Sequence, residues 1–455
     1  MLARVPVRFG LCAICLLLAC KSEKPSQVES PAVATTPSPE TAAPEQEDRA
    51  DRSGTSPANH PAASTAVPDS LPNGLLLAFS QFRVVDGKAT SDPGPARFDL
   101  LTRDGGEWKL ETIEDKQSNI FHKVMPLELP GEPLQFITAA GTDAYVKLWR
   151  RKGRNLRSTT LWHGEFGGEF NRIRDVEVAD LYGDGTPELV VATHDQGVVA
   201  ILERQANKRW KVDQIDRRPN TFVHEIEIGD LDADGVLEIY ATPTPPNRLF
   251  APRQPGDVVR YIPKTGQGPT VVAALGTRHA KEIYVGDVDG DEVDELYVPV
   301  EAVTVGRGPD LQLIEPIEIR RYDADTPPDA RIVVATIPDQ HARFLTVGDV
   351  DGDGKKEMIV ASFSTGLWLL RPGKDPKSEW GVESTDRDSS GYEHAARFAD
   401  LDGDGRDELY VADDKQGELR RYVWVNGKPK REVIHRRPVW RSRMTWNIVE
   451  FPREP

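Results

Sequence analysis

The sequence predicts an all-β chain: a seven-bladed β-propeller of four-stranded blades, closed by strands from both chain ends and preceded by a disordered linker. Three observations predict it. An Asp-rich hexapeptide recurs five times, its first aspartates separated by 50, 57, 62 and 51 residues, and a period in this range marks propeller blades. Each copy is flanked by short apolar runs of strand character, with no helical periodicity between them. Strand candidates near the two ends complement each other, as a ring requires.

The N-terminus reads as a leader. Arg4 and Arg8 precede an apolar run over residues 9–19, too short to span a bilayer and shaped like a signal peptide. It closes with Leu17-Leu18-Ala19-Cys20. Small and aliphatic residues before a cysteine resemble the lipobox of bacterial lipoproteins, although Leu18 is less usual at its slot. The resemblance implies cleavage after residue 19, a lipid on Cys20 and attachment to a membrane. The alternative is an ordinary signal peptide in which Cys20 is incidental. Lys21 stands where some lipoproteins carry an aspartate retention signal, so the outer membrane of a bacterial envelope is the expected location.

Residues 20–72, rich in Pro, Ala, Ser, Thr and Glu, bury too little apolar surface to offset their ordering entropy and read as a tether. Residues 73–455 exceed an ordinary domain, yet repeat folds reach such lengths as one unit. Cys12, Cys15 and Cys20 all lie in the leader or at its end, so cross-links in the body must be of another kind than disulfides. A second hydrophobic span is absent, leaving the lipid as the expected hold on the membrane. Losing Arg4 and Arg8 with the leader takes the formal charge from -16 to -18. That balance argues against nucleic-acid binding and against charge-driven adhesion to an anionic bilayer, and it suggests a cationic cofactor.

First strands are expected at residues 176–179, 226–229, 283–286, 345–348 and 396–399, each entering an acidic loop, with second strands such as 189–193, 239–241 and 358–361 leaving it. Third strands fall at 198–203, 258–262, 367–371 and 419–425, and fourth strands at 210–215, 271–275, 332–337 and 380–383. A sixth, degenerate repeat spans 121–162; its turn, Leu129-Pro130-Gly131-Glu132, has lost the aspartates. The C-terminal strand 445–451 lacks partners, and segments 75–79, 97–101 and 108–113 supply them. Joining these makes a seventh blade and hides the sheet edges an open array would expose.

The loops read Asp180-Leu-Tyr-Gly-Asp184-Gly185, Asp230-Leu-Asp232-Ala-Asp234-Gly235, Asp287-Val-Asp289-Gly-Asp291-Glu292, Asp349-Val-Asp351-Gly-Asp353-Gly354 and Asp400-Leu-Asp402-Gly-Asp404-Gly405. A glutamate follows eight residues after each first aspartate: Glu188, Glu238, Glu295, Glu357 and Glu408. Aspartates at positions one, three and five put carboxylates on the inside of a tight turn, glycine at six permits the bend, and an acid at nine can close the shell. Hard cations taking six to eight oxygens suit this supply, and calcium suits it better than magnesium. The flanking strands exclude an EF-hand, which needs helices. Plain Asp-Gly turns are the alternative, weakened by five copies in phase. Tyr182 replaces a carboxylate in the first loop, and Glu292 takes the glycine slot of the third, where strain is expected.

With these loops the chain resembles the FG-GAP/VCBS repeat family, whose best-known members are the integrin α-subunit propellers. The resemblance covers the repeats from about residue 121 onward. It implies calcium held by Asp230, Asp232, Asp234 and Glu238, and by the equivalent four starting at Asp287, Asp349 and Asp400, with Asp180, Asp184 and Glu188 as the reduced first site. The family commonly carries aspartate at the ninth position, where this chain has glutamate each time.

In a propeller the acidic loops lie on one face. Long loops at 83–96, 243–257 and 301–316 are expected on the other. Six residues before each first aspartate stands a basic side chain, Arg174, His224, Lys281, Arg343 and His394, with His122 in the same slot of the degenerate repeat. They read either as an anion or acidic-glycan ring or as salt-bridge partners of neighbours such as Asp175, Glu225 and Glu282. Trp108, Trp162, Trp210 and Trp380 on outer strands suit inter-blade packing. The function expected is a non-enzymatic, monomeric interaction module for a protein or glycan, displayed from the membrane. A polysaccharide-acting, lyase-like enzyme on the same scaffold is the alternative, although no nucleophile elbow or HExxH motif occurs.

Overall fold

The second strand of each acidic repeat is a near-continuous apolar run, the pattern of a strand covered on both faces. In the structure, a computed structural model, Glu188–Thr193, Glu238–Thr244, Glu295–Val300, Glu357–Ser362 and Glu408–Asp413 are buried at every position. Fourth strands are partly exposed instead; Trp210–Arg217 turns Lys211, Asp213, Gln214 and Arg217 to solvent. Residues 72–104, 107–141, 143–167, 171–245, 253–306, 310–389, 391, 395–437 and 442–452 are described. The leader, Cys20 and the tether through residue 71 lie outside them, as does His394. No α-helix occurs among the described residues.

Pairing resolves into seven antiparallel, four-stranded blades. Blades 1 to 6 occupy residues 120–164, 173–217, 222–274, 284–337, 342–386 and 396–436. Blade 7 is assembled from both ends: Arg443–Pro452 is its innermost strand and pairs with Pro72–Val85, followed by Ala96–Asp104 and Glu107–Asp115. The closure expected from the complementary ends is therefore present, with the first strand starting at Pro72. Blades 7 and 1 also touch through the single pair Ser80–Ile120, and Asn447 on the innermost strand accepts from the Val124 N–H at 3.0 Å.

The core is a set of seams rather than one centre. Seven apolar clusters each join one blade to the next. Leu127, Ile137 and Val146 of blade 1 meet Val176, Leu189 and Val198 of blade 2. The series ends where Phe98 and Phe451 of blade 7 meet Phe121 and Phe136 of blade 1. Trp108 packs edge-on against Tyr410 of blade 6 at 6.1 Å, and Trp380 packs at a tilt against Tyr297 of blade 4 at 5.4 Å. Trp162 and Trp210 cover the blade 1–2 seam.

Two of the three expected long loops are β-hairpins. Lys88–Pro93 folds back on the end of Pro72–Val85, turning at Asp86 and Gly87, whose φ values of 49° and 72° suit a two-residue hairpin turn. Val303–Val305 pairs with Gln312–Glu315. Both stand on the face opposite the acidic loops, because they link second to third strands. The third excursion, 243–257, lies partly outside the described residues.

Candidate functional site

The acidic loops share one backbone design. In all five, the first aspartate accepts the position-six N–H on Oδ2, at 2.7 Å from Gly185 and Gly235, 3.1 Å from Glu292, 2.8 Å from Gly354 and 2.9 Å from Gly405. The fifth-position aspartate accepts the N–H two residues on, at 2.8–3.0 Å. Position six has φ of 79–85° where it is glycine, and Glu292 is held at 69°. Forcing a non-glycine side chain into that region costs about 1–2 kcal/mol, so the strain expected at Glu292 is present.

This turn brings carboxylate oxygens together. One oxygen from each of Asp230, Asp232 and Asp234 lies within 4.8 Å of the others. The same holds for Asp349, Asp351 and Asp353, for Asp400, Asp402 and Asp404, and for Asp287, Asp289, Asp291 and Glu295. Oxygens bound to one ion at about 2.4 Å can be no farther apart than that. The first loop, with Tyr182 exposed at position three, gathers no such set among the described residues. These four acidic clusters are able to hold a metal. One detail speaks directly to fit: Asp289 Oδ1 is buried without a hydrogen-bond partner.

The glutamates at position nine also serve the loop backbone. All five are buried. Oε2 of Glu188, Glu295, Glu357 and Glu408 accepts the N–H of the loop's second residue, at 2.9–3.2 Å. Only Glu295 also joins its aspartates. The longer arm lets the carboxylate fold back onto the loop backbone, so it clamps the turn from below. Its second oxygen meets an arginine from the third strand of the same blade, which also reaches the position-three aspartate. Arg260 lies 2.9 Å from Glu238 and 3.5 Å from Asp232; Arg321 lies 3.2 Å from Glu295 and 2.6 Å from Asp289. Arg371 and Arg421 make the same forks with Glu357 and Asp351, and with Glu408 and Asp402. The first loop has no such fork. Glu188 is pushed up to about 7 by burial and by the nearby Asp184, Asp180 and Glu203.

Position eight supplies a contact that sequence reasoning missed. Asp294 of blade 4 accepts the Asp230 N–H of blade 3 at 2.8 Å, and Asp407 of blade 6 accepts the Asp349 N–H of blade 5 at 2.8 Å. Lys356 of blade 5 donates to the Asp287 carbonyl of blade 4 at 2.7 Å. The loops of blades 3, 4 and 5 are thereby each pinned by the following blade. Its sequence signal is a polar residue one step before the glutamate, present in three of the five copies.

The basic set is dispersed among packing and pairing roles. Lys281 lies 3.7 Å from Glu301. His122 bonds the Ile173 carbonyl at 2.6 Å, and Arg174 stacks over Trp446 at 5.4 Å. His224 packs edge-on to His194 and Phe222, and Arg343 is buried. Burial, then neighbouring cations, hold His122 and His224 well below the usual imidazole range, so both are neutral at pH 7.

A family of FG-GAP-like repeats matches residues 180–241 and 349–411, each segment running from an acidic loop into the second strand of the next blade. No curated protein matches the chain. Among solved structures it is similar to an Agrocybe aegerita lectin described for specific recognition of non-reducing terminal N-acetylglucosamine. Identity is 11%, coverage 84% of this chain and 95% of the lectin, and the TM-score 0.50. It is also similar to the Pseudomonas aeruginosa periplasmic gluconolactonase PpgL (13% identity, 84% and 99% coverage, TM-score 0.47) and to the Dos1 propeller (8%, 81% and 88%, 0.49). Likeness at such identities speaks to fold alone. The chain is a β-propeller, two segments of which match the FG-GAP-like repeat.

Proposed function

We propose that this protein is a calcium-stapled propeller, held at a bacterial cell envelope by a lipid on Cys20, that serves as a binding module for a protein or glycan. One observation carries the metal part: four successive blades repeat a cluster of three or four carboxylate oxygens within 4.8 Å. The aspartates at positions one, three and five would hold each ion, joined in the third loop by Glu295. Calcium would supply two positive charges to each cluster, relieving carboxylate repulsion that the single arginine fork offsets in part. The anchor rests on the leader and tether sequence. The two hairpins opposite the acidic loops support a binding role, since exposed loops on a rigid scaffold are suited to recognition.

Calcium titration of EDTA-treated protein tests the reading, with uptake of four ions expected. At free calcium 100-fold above its dissociation constant, each site adds about 2.7 kcal/mol to stability, so chelation should lower the melting temperature. No uptake, or an unchanged melt in EDTA, refutes the calcium assignment. Incubation with acidic polysaccharides separates binder from enzyme: retention without new products supports the module, and cleavage products support a lyase-like activity instead.

A further inference from the structure

The innermost strands of the blades surround a cavity of about 310 Å³. Its wall carries five carboxylates, Asp175, Glu177, Glu225, Glu227 and Glu282, against three cations, Lys123, Arg174 and Arg397. Every cation is engaged. Lys123 Nζ lies 2.7 Å from Asp175 and 3.6 Å from Glu225 and also contacts Glu177. Arg397 pairs with Glu450 at 2.6 Å, and Arg174 stacks on Trp446. Glu227 and Glu282 stand apart: neither side chain makes a hydrogen bond or ion pair among the described residues, and Glu282 is 6% exposed. A buried carboxylate without a partner is costly to ionise.

We propose that this cavity binds an organic dication with two ammonium groups, a diamine or short polyamine, using Glu225, Glu227 and Glu282 as counter-charges. The wall has two more acids than cations, and a dication balances that excess. The volume lies at the lower end of small-molecule pockets and far exceeds what one ion fills. The three acids that gather most closely, Asp175, Glu177 and Glu225, already share the Lys123 amine, which stands where a metal would sit. Trp446, Tyr284 and Phe344 complete the wall and offer ring surface to a methylene chain or an ammonium group.

The electrostatics agree with an excess of acid on the cavity wall. Burial, then the neighbouring Asp175 and Glu282, raise Glu225 well above the usual carboxylate range; burial, then Glu177, does the same for Glu227. Glu282 is pushed up to about 7 by burial, against the pull of Arg343 and Arg174. His122 and Tyr284 add no charge at neutral pH, since burial lowers the first and raises the second.

Calorimetric titration of the full chain with putrescine, 1-aminobutane and calcium chloride tests the site. Saturable putrescine binding is expected, tighter than that of the monoamine and weakened about thirtyfold by Glu282→Gln, as for loss of a buried charge partner. Glu282→Gln removes an unpaired buried charge, so its melting temperature without ligand should hold or rise; Glu225→Gln is the second variant. Glu132→Gln, at the rim of blade 1, should leave putrescine affinity unchanged. The proposal is overturned by absent diamine binding, by equal affinity for monoamine and diamine, or by full affinity in both Glu→Gln variants. Calcium binding that those two variants abolish also overturns it, making the cavity a metal site.

Discussion

In blade 1 the link between first and second strands carries two acids, Glu128 and Glu132, and on Glu132 three cations converge: Arg204 from blade 2, Arg150 at 3.4 Å and Lys208 at 3.3 Å. In blade 4 the same link carries Asp287, Asp289, Asp291 and Glu295 around one arginine, Arg321, and leaves a buried oxygen of Asp289 without a hydrogen-bond partner. Both turns sit at the rim of an apolar seam. The first closes its charge with side chains the chain carries along. The second concentrates negative charge beyond what its own cations offset, which is an arrangement suited to an external cation. Seam packing does not depend on this choice, because the apolar clusters are continuous around the ring in either case.

The sharpest way to break the comparison is Asp289→Asn. It should reduce calcium uptake by one ion and, in saturating calcium, lower stability by about 2–3 kcal/mol, read as a shift in urea midpoint. Asp184→Asn in the first loop, where Tyr182 interrupts the set, should leave the stoichiometry unchanged. Equal losses in the two variants would mean that the loops are not graded as described.

A smaller effect is expected at the inter-blade pins. Asp407→Ala and Asp294→Ala each remove the acceptor for a loop N–H of the preceding blade, and a lost hydrogen bond of this kind costs about 1–2 kcal/mol. Denaturation midpoints of the two single variants check this, and wild-type midpoints in both would assign the pinning to packing alone.

The smallest effect belongs to blade 1. Arg204 is the main reason that Glu132 is held down to about 2. Its stabilisation is therefore complete above the ordinary value of 4.5 and is lost as pH falls through about 2. The side chain keeps some solvent contact, so Glu132→Gln should cost about 1 kcal/mol at pH 7, the two midpoints converging between pH 4.5 and 2. A constant gap across that range would show that charge is not what Glu132 contributes.

Much of this architecture was readable before any coordinates. The five acidic loops lie between strands as expected, and the lone strand near the C-terminus found the three N-terminal partners assigned to it. The two hairpins were missed because their strands are short and partly exposed, although the Asp86-Gly87 pair was a usable turn signal. The clamp that the glutamates place on the loop backbone was missed for a different reason. An acid near a loop reads as a ligand, while the N–H it accepts and the arginine it meets come from backbone and strand geometry. Those arginines lie 22, 26, 14 and 13 residues beyond their glutamates, since the intervening excursions differ in length, so spacing could not single them out.

What the sequence determined alone was what depends on near neighbours: alternation along a strand, a glycine-permitted bend, a repeat of acids in phase. These follow from local sterics and from the two-residue period of extended chain. The tertiary structure decided which charges meet across blades. Asp175, Glu225 and Glu282 stand beside basic residues in the sequence, which suggested pairing with them. Closing seven blades instead turned all three toward a common channel, where Lys123 of blade 1 meets Asp175 and Glu225 and the low dielectric of the walls makes each charge count more.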